Sequence, residues 1–244
     1  MIRSEWIKLR SLRSPVWCLI VLPAVNALFG AMIATAQARQ WDGTQAWDPI
    51  RASLSGVIVA QIAAAVFGVL AFTTESLRIS LAATPRRARM LAAKALLVTG
   101  SMLVTGFVAG LVAFVAGQAA IRGQGVPDAS LGDPGALRAV AGTGLYLAAA
   151  SLIGLAVGVL TRSTAAAVTS VIVGGLLVPV FANAMPEALA RFVIGYWPTA
   201  AGLRILATVP DPAMLDPWPG FGLLAGATAV LLVAAFSTFR RRDV

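Results

Sequence analysis

Six stretches of about twenty consecutive apolar residues dominate this chain, and a run of that length is what a helix needs to cross the hydrocarbon core of a bilayer. They lie at about 15–37, 53–73, 90–120, 139–160, 164–182 and 220–239. Backbone amides in lipid must be satisfied within the protein, so only helices or a closed barrel can span. Barrel strands alternate apolar and polar residues, and these runs do not. The expectation is an all-α polytopic membrane protein with six transmembrane helices, forming one transmembrane domain over 1–244. With 59% hydrophobic and 12% charged residues and a mean hydropathy of +0.85, the chain lies outside the usual range of soluble domains.

The connections carry the rest of the information. Between the fourth and fifth runs only Thr161, Arg162 and Ser163 intervene, which predicts a tight helical hairpin. Ala190 to Val209 is moderately apolar but interrupted by Pro198, Gly202 and Arg204. As a seventh span it would put Arg240, Arg241 and Arg242 outside, against the positive-inside bias. It is therefore expected to belong to an external re-entrant segment, 183–217.

Six spans with both termini cytoplasmic place thirteen basic and three acidic residues inside, against six basic and seven acidic outside. The net charge of +9 thus reads as topology, and no nucleic-acid partner is expected. At the N-terminus Ile2, Trp6 and Leu9 share one helical face flanked by Arg3, Lys8 and Arg10. This suits a helix over 1–14 lying in the membrane interface; a topogenic basic flank, or a signal peptide ending near Ala34-Thr35-Ala36, are the alternatives.

What the chain lacks narrows its function. It has no histidine and a single cysteine, Cys18, so His-based acid–base chemistry, internal disulfides and zinc sites are not expected. No metal site and no catalytic residues are assigned. No ionisable residue falls in the middle of a run, where proton-coupled machines keep one. Asn26, Gln61 and Gln118 are left either to serve sodium coupling or polar substrates, or to hydrogen-bond between helices. There is no phosphate-binding GxxxxGK[ST] loop, so any ATP chemistry would belong to another subunit.

The largest cytoplasmic connection, Thr73 to Val98, reads TTESLRISLAATPRRARMLAAKALLV. Thr74 can cap a short helix with Glu75 in its first turn, Leu77 and Leu81 fall on one face, and Pro85 ends it by constraining Thr84. Arg86, Arg87 and Arg89 come next. On its own this is either a rigid amphipathic knob or a solvated basic loop that sets topology. The tryptophans Trp41, Trp47, Trp197 and Trp218 suit an aromatic belt. Small-xxx-small pairs at Gly106 and Gly110, Gly154 and Gly158, and Gly222 and Gly226 permit close helix approach.

The segment LAATPRRARMLAAKALLV (Leu81 to Val98) resembles the stretch after the second span in permease subunits of bacterial ABC transporters of the type-2 permease family. The opening MIRSEWIKLRSLRSPVW is similar to the family's usual start, and GVLTRSTAAAV (Gly158 to Val168), Pro179, Pro186 and the YWPTAAG run from Tyr196 come in the family's order. One departure stands out. Where members often carry an acidic and aromatic pair and then a glycine, this chain has Ala71 and Phe72, with Glu75 at the glycine.

The resemblance implies a permease that pairs as a homo- or heterodimer in the bacterial cell membrane and exports a hydrophobic or amphipathic substrate. ATP and magnesium would be bound by a separate ABC ATPase subunit. On this implication Glu75, Leu77, Arg78, Leu81, Pro85, Arg86, Arg87 and Arg89, within the coupling segment 74–89, receive the ATPase. Trp6, Lys8 and Arg10 belong to the interfacial helix, and Pro186, Trp197 and Pro198 to the outer gate. A self-contained secondary transporter or channel is the alternative, and no substrate-binding residue is assigned.

Overall fold

The computed structural model describes residues 13–73 and 87–241. Among them every regular element is helical: α1 (Arg13–Gln40), α2 (Pro49–Leu54), α3 (Val57–Thr73), α4 (Arg87–Arg122), α5 (Ala136–Thr161), α6 (Thr164–Ile172), α7 (Glu187–Tyr196), α8 (Pro198–Gly202) and α9 (Pro217–Arg241), with short π and 3₁₀ turns between some of them. Five apolar helical runs are long enough to cross a membrane: Trp17–Gln40, Pro49–Phe72, Arg89–Arg122, Ala136–Thr161 and Pro217–Phe239. The chain is a multi-pass helical membrane protein.

Each of these runs begins earlier or ends later than its apolar stretch in the sequence, because the helices continue by about a turn or less into the flanking residues. The run expected over 164–182 differs more. Its helical part is Thr164–Val180, made of α6, a π-helical turn at Val173–Leu177 and a last turn at Val178–Val180. Seventeen residues reach about 25 Å, short of the roughly 30 Å hydrocarbon core.

Helix α5 is the hub. It packs against α3, α4 and α9, while α1 lies against α4 and α3. Glycines bring the backbones together. A Cβ on Gly154 would sit 1.9 Å from the Ala65 carbonyl oxygen, and one on Gly68 would sit 1.8 Å from that of Ser151, so α3 and α5 touch main chain to main chain. Gly106 meets Gly144 in the same way between α4 and α5, whereas Gly222 and Gly226 have open space above them. Without a hydrophobic drive between helices in lipid, such dispersion contact is what holds them.

The hairpin at Thr161 to Ser163 forms as its brevity predicts. Arg162 takes the left-handed conformation (φ 55) as the cap of α5 and donates its N–H to Gly158, and the Ser163 hydroxyl then caps α6 by accepting from Ala166. Lys94 lies inside α4, buried, and its Nζ donates to the Ala71 carbonyl at 2.9 Å. It closes the last turn of α3, where free carbonyls and the helix dipole favour a cation.

Polar residues within the helices bond between or along them. Asn26 Nδ2 donates to Ala109, and its buried Oδ1 accepts no hydrogen bond. Gln118 joins Pro49, Ser53 and the Ala129 amide.

Candidate functional site

The segment over 187–209 folds back into the bundle, and part of its docking falls on two carbonyls just before a proline. Pro179 has no N–H. In an α-helix its amide would serve the carbonyl of Gly175, and in a π-helical turn that of Gly174. Both carbonyls are therefore left without their helical donor, and both accept from elsewhere. Trp197 Nε1 donates to Gly174 at 2.7 Å, while the Thr199 hydroxyl (3.1 Å) and Gln61 Nε2 (3.2 Å) donate to Gly175. The Tyr146 hydroxyl completes the cluster, donating to Gln61 Oε1 at 2.6 Å and lying 3.2 Å from the Thr199 carbonyl.

These contacts lie deep. Tyr146 is ten residues beyond the start of α5 at Ala136, about 15 Å along the helix at 1.5 Å per residue. Gly174 is likewise ten residues from Thr164, the opposite end of its own run.

The sequence makes the turn at that depth. Pro198 keeps Trp197 out of helical geometry (φ −62, ψ 130), which stops α7 at Tyr196, and then opens α8 from its first turn. Pro186 stands one position earlier relative to its helix, as the extended, exposed cap residue before α7. Helix α7 buries only Val193. Its outward side carries the stacked Phe192 and Tyr196 rings and the Glu187–Arg191 pair. By contrast α8 and the 3₁₀ turn Leu203–Leu206 are packed inward, with Thr199, Ala201, Gly202, Ile205 and Leu206 buried.

Three charged residues latch the returning chain at the surface end. Asp48 caps α2 through the Arg51 amide and also accepts from Thr208 N and Oγ1 (both 2.7 Å) and Val209 N (3.1 Å). Arg138 donates to the carbonyls of Ile205 (3.0 Å) and Ala207 (2.7 Å). Arg204, 7% exposed, donates to Leu215. In the sequence these three read only as loop charges. Their partners are mostly backbone atoms, up to 161 residues away, which no local pattern announces.

Of the expected site residues, Trp197 and Pro198 meet in this cluster and Pro186 stands at the far end of α7. Gln61 bonds between helices and shares the cluster with Tyr146 and Thr199, which the sequence did not single out. Its one advance signal was Pro179, four and five residues after adjacent glycines. Arg87 starts α4 and Arg89 is exposed on it. Trp6, Lys8, Arg10, Glu75, Leu77, Arg78, Leu81, Pro85 and Arg86 lie outside the described residues, as does the expected helix over 1–14 except for Arg13 and Ser14, which begin α1. Trp41 and Trp47 pair at 5.8 Å, with Trp47 Nε1 bonded to Pro127, and Trp218 is exposed, all at the Asp48 end. No protein-family model matches the chain, and no curated protein matches it.

Proposed function

We propose that this chain is the membrane-embedded permease half of an ATP-driven exporter, with six spans, both termini cytoplasmic, and the 183–217 segment re-entrant from outside. The observation that carries the reading is the docking of Trp197 and Thr199 on Gly174, Gly175, Gln61 and Tyr146. Broken backbone about half-way through a bilayer is tolerated only where it is buried in protein or lines a cavity, and discontinuous helices at that depth mark transport sites. The charge asymmetry supports the orientation. The likeness of Leu81 to Val98 and of the N-terminus to type-2 permeases supports ATP coupling.

In this reading Thr164–Val180 is a short fifth span that shares the outer leaflet with the α7–α8 hairpin. A cytoplasmic ABC ATPase binds ATP and magnesium, docks on Glu75 to Arg89 and on the helix bearing Trp6, Lys8 and Arg10, and rocks two permease copies against each other. Pro186, Trp197 and Pro198 belong to the outer gate that this motion opens.

The test is to look for an ABC ATPase gene beside this one, which the reading predicts, and to co-express the two. The two proteins should co-purify, and reversing the charge of Arg86, Arg87 and Arg89 together should abolish permease-stimulated ATP hydrolysis while expression is retained. Unchanged stimulation would remove the coupling assignment. Transport in liposomes by this chain alone would instead make it a self-contained secondary transporter or channel, a reading that the broken helix at mid-depth also suits.

A further inference from the structure

Three cavities lie in series along α8 and the 3₁₀ turn that follows it. The first, about 360 Å³, lies at the Asp48 end and has Gln37, Trp47, Asp48 and Arg51 on its wall. It shares Ile58 and Leu203 with the second, about 260 Å³, which ends on Gln61, Tyr146, Thr199 and Gly175. Gln61, Thr199 and Gly175 are also wall to the third, about 310 Å³, otherwise lined by apolar side chains such as Ile62, Ile153, Val157, Val171 and Leu231. The hydrogen-bonded cluster thus stands between a polar vestibule and an apolar chamber.

We propose that the apolar chamber binds the hydrocarbon body of an uncharged, single-headed amphiphile drawn from the bilayer, and that Gln61, Tyr146 and Thr199 gate its way to the vestibule. The inference rests on the transporter reading above and adds the site and the ligand class.

The chemistry of the wall defines that class. Among the described residues no Asp, Glu, Lys or Arg lines the chamber, so a carboxylate, phosphate or ammonium would be desolvated there without a partner. The polar side chains on the wall have already spent their donors. Gln61 Nε2 serves Ile58 and Gly175, Trp197 serves Gly174, Thr199 serves Gly175 and Ser170 serves Ala166.

What the side chains of the wall still offer is lone pairs, on the Ser170 and Thr199 hydroxyls and on Gln61 Oε1. These suit a ligand with one hydroxyl or amide to donate and little to accept. The volume lies at the lower end of the range of about 300 to 1,000 Å³ typical of small-molecule sites.

Access is lateral. Val171 and Ser170 of α6 and Ala227 and Leu231 of α9 form opposite walls, the two helices make no extensive contact with each other, and Ser170 is exposed. An amphiphile can enter between them with its chain in the chamber. Its head group then faces the cluster beyond which the vestibule carries Asp48 and Arg51.

The experiment uses the full chain in phosphatidylcholine vesicles, without any ATPase, and two photoreactive probes: hexadecanol with a mid-chain diazirine, and the corresponding ionised hexadecanoic acid. Adducts are mapped by peptide mass spectrometry. Adducts of the alcohol on Ile153, Val171 and Leu231 should saturate at a concentration at least about tenfold lower than those of the acid. Adducts on the outward-facing Val104 and Val230, 69% and 68% exposed, should rise linearly with both probes.

Ala227→Trp, and the milder A227L, should weaken saturable labelling. Tyr146→Phe should keep it and add adducts on Ala200 and Leu203 in the second cavity. Linear labelling everywhere, equal saturation by acid and alcohol, or saturation unmoved by both Ala227 variants would overturn the proposal. So would absent labelling together with a Leu231→Cys disulfide between chains in a C18S background, which would give the opening to a second copy. Since no ATPase is present, this outcome is independent of whether the chain co-purifies with one.

Discussion

Asp48 shows how much a single side chain can carry at a membrane surface. One carboxylate caps α2 and receives three hydrogen bonds from Thr208 and Val209, joining elements that the sequence separates widely. Capping is worth about 1 kcal/mol, and each hydrogen bond to a charged group about 1.5–3 kcal/mol before the exposure of the site reduces it. Asp48→Ala is expected to lower unfolding stability by about 2–4 kcal/mol, read as a lower thermal midpoint in detergent together with faster proteolysis at 207–216. Asp48→Asn should lose less, because asparagine still caps. Equal midpoints for wild type and D48A would show that the latch does not hold the hairpin.

Elements here are placed by what glycine and proline omit. Gly68 and Gly154 let α3 and α5 touch, so a single methyl is too large: Gly154→Ala should cost about 1–3 kcal/mol through overpacking, whereas Gly222→Ala, with open space above it, should leave the thermal midpoint unchanged. Both glycines sit in small-xxx-small pairs, and the sequence treats them alike. Only the packing separates the pair that holds two helices from the pair that faces away.

Pro179 acts through the donor it lacks. Pro179→Ala supplies an N–H that competes for the Gly175 carbonyl, and the π turn should relax towards α-helix. The Thr199 and Gln61 contacts then loosen, and a cysteine at Thr199 in a C18S background should react faster with a water-soluble maleimide. An unchanged rate would mean that the hairpin docks without those carbonyls.

At the scale of the whole molecule the proposed topology makes a direct prediction. Reporter fusions after Gly123 should read outside, and those after Val244 inside; the reverse pair of readings would invert the bundle and move the Asp48 latch to the cytoplasm. Much of this scale was legible in advance. Five of the six apolar runs are helices long enough to span, since a run of some twenty apolar residues has few other ways to satisfy its backbone in lipid. The tight hairpin at Arg162 was equally legible from three residues of connection.

The fifth run, 164–182, was less legible, because hydropathy counts side chains and does not see that Gly174, Gly175 and Pro179 change the path of the main chain. The same limit hid the candidate site. Trp197 and Pro198 drew notice as a motif, but Tyr146 and Thr199 have no local signature, and their role comes from lying opposite two carbonyls that a proline left free. Hydrophobicity is additive along a chain, so the sequence by itself determined that this is a helical membrane protein and where most of its helices run. Which glycines join helices, which carbonyls receive the hairpin and where the cavities fall depend on atoms 23 to 161 residues apart, and only the tertiary structure, where those distances close, decided them.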